Sequence, residues 1–313
     1  MTTPSALRST LFLAAMLLSV AAQAQIFRAY LASDGSDANP CTLQLPCRLL
    51  PAALTAVASG GEIWMLDSAN YNTTSVTVGK SVTILAVPGA LGSVVAAGGS
   101  AISITATGLK VALRNLVIVP LPGGGGIVGI NMTGTSTLIV ENSLIANLPQ
   151  DGVLVSGSGR LKVTNSIIRN NGSFAVALVN GARAEISGTQ LLENAFGGVT
   201  AQGSQASFTR AYLTDSVIAE GIQGVLASTA HADAVAIVAV TRCTIVDSLA
   251  FALRSQTTNV GTATITIGNS MISTENAAWE VVGTGAIIRT LGNNQISDIG
   301  GVNNGVLTPL APQ

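Results

Sequence analysis

The stretch Leu161–Gly181, "LKVTNSIIRNNGSFAVALVNG", decides the fold. It is too apolar for a surface loop, has the wrong period for a helix, and carries the Asn and Gly that ordinary strands avoid. Its neighbours say the same thing again: "LIVENSLIANLPQDGVLVSG" (Leu138–Gly157) before it and "AEISGTQLLENAFGGVTAQG" (Ala184–Gly203) after it. Aligned on Asn142, Asn165 and Gly188, the three copies are 23 residues apart. Leu138, Leu161 and Ala184 then coincide, as do Val140, Val163 and Ile186, then Ile145, Ile168 and Leu191. Further on, Val153, Val176 and Val199 coincide, followed by Val155, Leu178 and Ala201.

A fixed period of this size with alternating apolar positions marks a solenoid. Leucine-rich repeats share the period but need leucines at set spacings and a helical or extended return. Here each unit offers three short β-rich pieces, such as "LKVTN", "SIIRN" and "FAVALV", separated by Gly, Asn or Ser. The expected fold is all-β: a single right-handed parallel β-helix, three strands per coil and about 23 residues per coil. Each strand pairs with its copy in the next coil, about 4.8 Å away. The frame column is expected to continue from Asn115 through Arg210, Arg242, Asn269 and Asn293, with Asn142 and Asn165 as an amide ladder at one bend.

The chain opens "MTTPSALRSTLFLAAMLLSVAAQAQ", with one charge, an apolar run and the small-residue site Ala22-Gln23-Ala24. That is the pattern of a secretory signal peptide over 1–24, so the product is expected to be exported, to a periplasm or the medium, with no membrane insertion after signal removal. Export favours pairing of Cys41 and Cys47 around "TLQLP"; zinc is a poor alternative, and Cys243 reads as a buried thiol in an apolar position. A short capping helix is expected in "PCRLLPAALTAVASGG", with Leu50, Ala53, Leu54 and Val57 on one face and Gly60-Gly61 as its end. The expected divisions are 25–75 for strand, disulfide loop and cap, 76–300 for the β-helix, and 301–313 for a tail over the far end.

Charged residues make up 9% of the chain and the net charge is −1, with no basic stripe and no acidic block along the sequence. Nucleic-acid binding and electrostatic membrane docking have no support in that composition. A monomer is expected.

The stretches "FRAYLASDGSDANPCTLQLPCRLLPAALTAVASGGEIWMLDSANY", "KSVTILAVPG", "VALRNLVI", the "NSxI" units and "GNNQI" make the layout resemble secreted bacterial right-handed β-helix proteins of the pectate-lyase-like superfamily. The resemblance implies the fold across nearly the whole mature chain. Enzymes of that superfamily act on acidic polysaccharides. Their pectate lyases use clustered Asp as calcium ligands with an Arg or Lys base. Their polygalacturonases carry paired Asp with Gly-His-Gly and Arg-x-Lys, and their alginate epimerases Asp-Pro-His-Asp. None of these strings stands in this sequence.

One acidic column stands out. Five residues after the frame positions come Asn147, Asn170, Glu193, Asp215 and Asp247. Stacked carboxylates about 4.8 Å apart repel by about 0.9 kcal/mol in water. Glu193, Asp215 and Asp247 are therefore candidates for catalysis or for a cation such as Ca2+, with Arg210 and Arg242 as candidate partners. The bland reading is a solvated bend. His231, in "STAHADA", reads as a loop residue. Trp279 is the candidate sugar-stacking surface, whereas Trp64 in "EIWML" reads as core or cap. Asn72, Asn131 and Asn171 match glycosylation sequons, and "PGGGGIVG" is a turn, not a phosphate loop. Two functions stay in view. One is a non-catalytic exported envelope or matrix component that touches a polysaccharide. The other is a lyase or hydrolase working through the acidic column on an acidic glycan.

Overall fold

The computed structural model describes residues 25–258, 260–297 and 299–310. The expected signal peptide lies outside the described residues. The described chain is a parallel β-solenoid of about nine turns with one helix. One sheet of 12 strands runs from Ile26–Leu31 to Leu307–Pro309, and a sheet of 17 strands wraps the remainder. Pairing follows the repeat register: Leu138 opposes Leu161 and Leu161 opposes Ala184, and Val153, Val176 and Val199 align across the other sheet. In the regular coils a strand such as Thr137–Glu141 is followed by Leu144–Ala146 and Val153–Ser156. In two coils the two short strands merge into Val217–Thr229 and Thr244–Thr257, and they separate again as Met271–Ser273 and Ala277–Val282.

Alternation decides what goes inside. Leu138, Val140, Ile145, Val153 and Ile168 are fully buried, while Arg160, Lys162 and Arg169 point out. A single apolar cluster extends from Ala29 to Ile288.

The bends explain the Asn and Gly. Asn115, Asn142, Asn165, Gly188, Asp215, Arg242 and Asn269 all hold φ between 49° and 58°, a left-handed conformation that Asn and Gly adopt most readily. Their backbone N–H groups bond the next coil, for example Asn142 to Thr164 O and Asp215 to Thr241 O. Arg210 is not in this column. It opposes Arg183 inside a strand, and Asp215 takes the frame position because the steps from Gly188 to Asp215, Arg242 and Asn269 are 27 residues each. Gly188 cannot be replaced freely, since a Cβ there would sit 2.5 Å from Asn165 Oδ1.

No amide ladder links Asn142 to Asn165; the side-chain ladder belongs to the next residue. Ser143 N–H donates to Ser166 Oγ, Ser166 N–H to Thr189 Oγ1, Thr189 N–H to Ser216 Oγ, and Cys243 N–H to Ser270 Oγ. Each hydroxyl donates back two residues, as Ser166 does to Thr164 O. Cys243 is buried as expected, but in this polar column and not an apolar one. The buried amide ladder is Asn171 to Asn194, at 2.8 Å, although Asn171 reads as outward in a simple alternation.

The helix is Leu50–Ala56, with Pro51 in its first turn and Leu50, Ala53 and Leu54 buried in the common core. It ends earlier than Gly60-Gly61. Val57 is already extended, and both glycines lie within the strand Val57–Met65. Cys41 and Cys47 form a disulfide with Cα atoms 4.6 Å apart. Their loop is tied to the first strand by Tyr30 N–H to Cys41 O and Cys47 N–H to Tyr30 O.

Candidate functional site

The second bend column contains the acids, with one member different from that expected. Asn147, Asn170, Glu193, Glu220 and Asp247 hold φ of 53° to 63° at successive coils. The ladder is continuous, with Asn170 N–H on Leu192 O and Glu193 N–H on Ala219 O. Glu220, which the sequence reading missed, stands between Glu193 and Asp247. Asp215 belongs to the first bend. The signal was present, because Glu220 follows Asp215 by the same five residues once Asp215 is taken as the frame residue.

Glu193, Glu220 and Asp247 line a groove of about 530 Å³ together with Asn170, Glu275 and Asn276. Asn170 Nδ2 donates to Glu193 Oε2 at 2.8 Å. Beside the acids runs an exposed apolar ridge of Phe196, Ile222 and Leu249, 49%, 38% and 68% exposed. Ile222 N–H on Ala195 O and Gln223 N–H on Phe196 O set the first two side by side, and the Gly221–Ser248 pairing brings Leu249 next to them. The buried Asn171 and Asn194 fix the loop from inside, Asn194 donating to Ile168 O and Leu192 O.

Among the described residues, none of the four acid–base pairs involves Glu193, Glu220 or Asp247. Asp215 is held by Arg242, at 2.7 Å and 2.8 Å to its two oxygens, and this hydrogen bonding lowers the carboxyl pKa below its ordinary value. Among the described residues no three His, Cys, Asp or Glu side chains come together as a metal ligand set. The carboxylates form a wall and not a cage, which is a poor fit to a calcium ion needing six to eight oxygens.

The other candidates are dispersed. His231 sits in the turn between Val217–Thr229 and Val235–Thr241, its Nδ1 accepting from Asp233 N–H. Trp279 is half-buried against the core, with its indole N–H on Gly305 O. Trp64 is outward and half-buried, under the Arg28 guanidinium at 4.0 Å and donating to Glu62. Asn72 and Asn171 are buried and bonded, so those sequons are inaccessible in the folded chain. Arg210 lies on the 12-stranded sheet, in register with Arg183, and Arg183 with Arg160. A basic stripe therefore exists in three dimensions where the linear sequence shows none.

Solved structures with this architecture share little sequence with the chain. A pectate lyase superposes with a TM-score of 0.63 at 14% identity, over 93% of this chain and 80% of that one. An alginate lyase from Paenibacillus sp. str. FPU-7 gives 0.62 at 14% identity, over 90% and 100%. A polygalacturonase from Erwinia carotovora ssp. carotovora gives 0.55 at 10% identity, over 92% and 98%. At such identities the likeness is one of fold alone. Among curated proteins none matches the chain in sequence. The family model for the right-handed β-helix region matches residues 100–297, most of the solenoid. The hand of the coil is thereby right, and the chain belongs to the right-handed β-helix family.

Proposed function

We propose that this protein is exported and binds a hydroxyl-rich polysaccharide along the acidic groove without cleaving it. The observation that carries this reading is the pairing of two parallel features, the Glu193–Glu220–Asp247 column and the Phe196–Ile222–Leu249 ridge, both running along the solenoid axis. Carboxylates and amides accept and donate hydrogen bonds to sugar hydroxyls, while an apolar ridge covers the C–H face of a pyranose. Earlier in the same column Asn147 and Asn170 serve the bend. Glu193 and Glu220 there carry left-handed backbone strain of about 1 kcal/mol that Asn avoids, and the acids repel one another. Such expense without structural return fits a binding surface. An uncompensated acidic wall also disfavours uronate polymers, which sets this reading apart from acidic-glycan chemistry. Export rests on the signal-like N-terminus, with the Cys41–Cys47 disulfide in accord.

The second reading is a lyase or hydrolase in which the same carboxylates act as acid and base; carboxylate pairs are the ordinary machinery of glycoside hydrolysis. A glycan array with a reducing-end assay separates the two. Neutral glycan binding without new reducing ends is expected, with roughly tenfold weaker binding in Glu220→Asn and a melting temperature equal or higher. Cleavage of any glycan that Glu220→Asn abolishes would establish the second reading instead, and a calcium-dependent rise in melting temperature lost in the same variant would place the ion in this groove.

A further inference from the structure

The outward face of the 12-stranded sheet carries a charge pattern that the groove does not use. Lys110, Thr137, Arg160, Arg183 and Arg210 face one another on five successive strands. Two residues along, Lys162, Glu185 and Tyr212 form the adjoining column. Three guanidinium groups thus stand on adjacent strands, about 4.8 Å apart at their backbones. Arg160, Arg183, Glu185, Arg210 and Tyr212 enclose a shallow depression of about 210 Å³.

Like charges directly opposed across a sheet are destabilising, and four other arginines of this protein each have an acid partner. Arg28 meets Glu62, Arg114 meets Glu141, Arg242 meets Asp215 and Arg254 meets Glu280, all at 2.6–2.8 Å. Among the described residues no acid pairs with Arg160, Arg183 or Arg210. Arg210 lies 4.1 Å over the Phe208 ring, and its Nε is buried with no hydrogen-bond partner.

We infer that this face binds a polysaccharide carrying sulfate or phosphate esters, laid along the arginine column. A tetrahedral oxyanion offers three free oxygens, so one ester accepts from guanidinium groups on two neighbouring strands at once. A planar carboxylate is satisfied by a single arginine and leaves the next one unpaired. Exposed Tyr212 supplies a ring against which a sugar can rest. A second copy of the chain, offering its acidic groove, is the poorer occupant. Exposed ion pairs are individually weak and do not offset the freedom lost on association, whereas a polyanion also gains from releasing its counterions. The inference stands independently of the groove.

The test is binding of the full mature protein to four immobilised polymers: dextran sulfate, phosphorylated dextran, polygalacturonate and single-stranded DNA. Both esterified dextrans should bind, with polygalacturonate and DNA roughly tenfold weaker or more. Affinity for the esterified dextrans should drop at least about tenfold in Arg160→Gln/Arg183→Gln and fall with added salt. Arg289→Gln, which removes an exposed positive charge three strands further along the same sheet, should leave this binding unchanged. The double variant should melt at or above the wild-type temperature, since it relieves repulsion. The inference is overturned by a lower melting temperature there, by unchanged affinity, or by polygalacturonate or DNA binding as tightly as the esters.

Discussion

A carboxyl group shielded from water holds its proton more tightly unless its charge is compensated. Asp151 lies in the turn before the strand Val153–Ser156, where burial raises its pKa above the usual 3.8 despite hydrogen bonds from the Ser173 side chain and the Phe174 N–H. The folded state therefore binds more protons than the unfolded state between the two pKa values. Stability contributed by this group is highest below the unfolded pKa and declines as pH rises through the folded one. Asn would keep an oxygen for the Phe174 N–H without the charge. Asp151→Asn should melt about 1–3 °C above the wild type at pH 7, with the difference closing below about pH 4. Thermal scans from pH 3 to 8 check this, and a gap that widens as pH falls would contradict it. Nothing local marked Asp151. "PQDGV" reads as an ordinary turn, and its desolvation arises only when the next coil covers it.

At the scale of the bends, the element is a column and not a strand. The alternation of Leu161, Val163 and Ile168 was legible because burial inside a coil repeats every second residue. The column positions were legible where the coil length stayed at 23, and Asn115, Arg242, Asn269 and Asp247 were also placed correctly across longer coils. Where coils lengthen to 27 residues, counting placed Arg210 in the frame and Asp215 among the acids, and Glu220 was missed. The hydroxyl column was also hidden, because its Ser, Thr and Cys differ chemically while sharing one task. Cys243 holds that place with a weak acceptor, bonded by the Ser216 N–H, and its thiol pKa is raised by burial. Cys243→Ser should accordingly be neutral or stabilising. Cys243→Val keeps the volume but strands the Ser216 N–H, and should lose about 1–3 kcal/mol in urea titration. If Val were as stable as Ser, the column would be packing and not a hydrogen-bond ladder.

Over the whole molecule, each coil touches only its neighbours, so stability is a sum of nearest-neighbour terms and a local lesson stays local. The same stacking turns scattered residues into stripes. Arg160, Arg183 and Arg210 are separated in sequence and contiguous in space, which is why a composition with net charge −1 gave no hint of them. Nearest-neighbour coupling also governs what the Cys41–Cys47 bond can do. It closes a short loop, so its contribution is about 2 kcal/mol. The backbone it fastens is the first strand, through Tyr30 and Ala32, and among the described residues that strand pairs with Val57–Met65, with an isolated bridge from Leu31 to Cys47. In Cys41→Ser/Cys47→Ser, amide exchange should quicken in Ile26–Leu31, then in Val57–Met65, and fade within a few coils. Exchange in Met271–Ser273 and Ala286–Thr290 should match the wild type. Faster exchange in those distal strands would mean that the solenoid unfolds as one cooperative body and that the first strand secures far more than its neighbour.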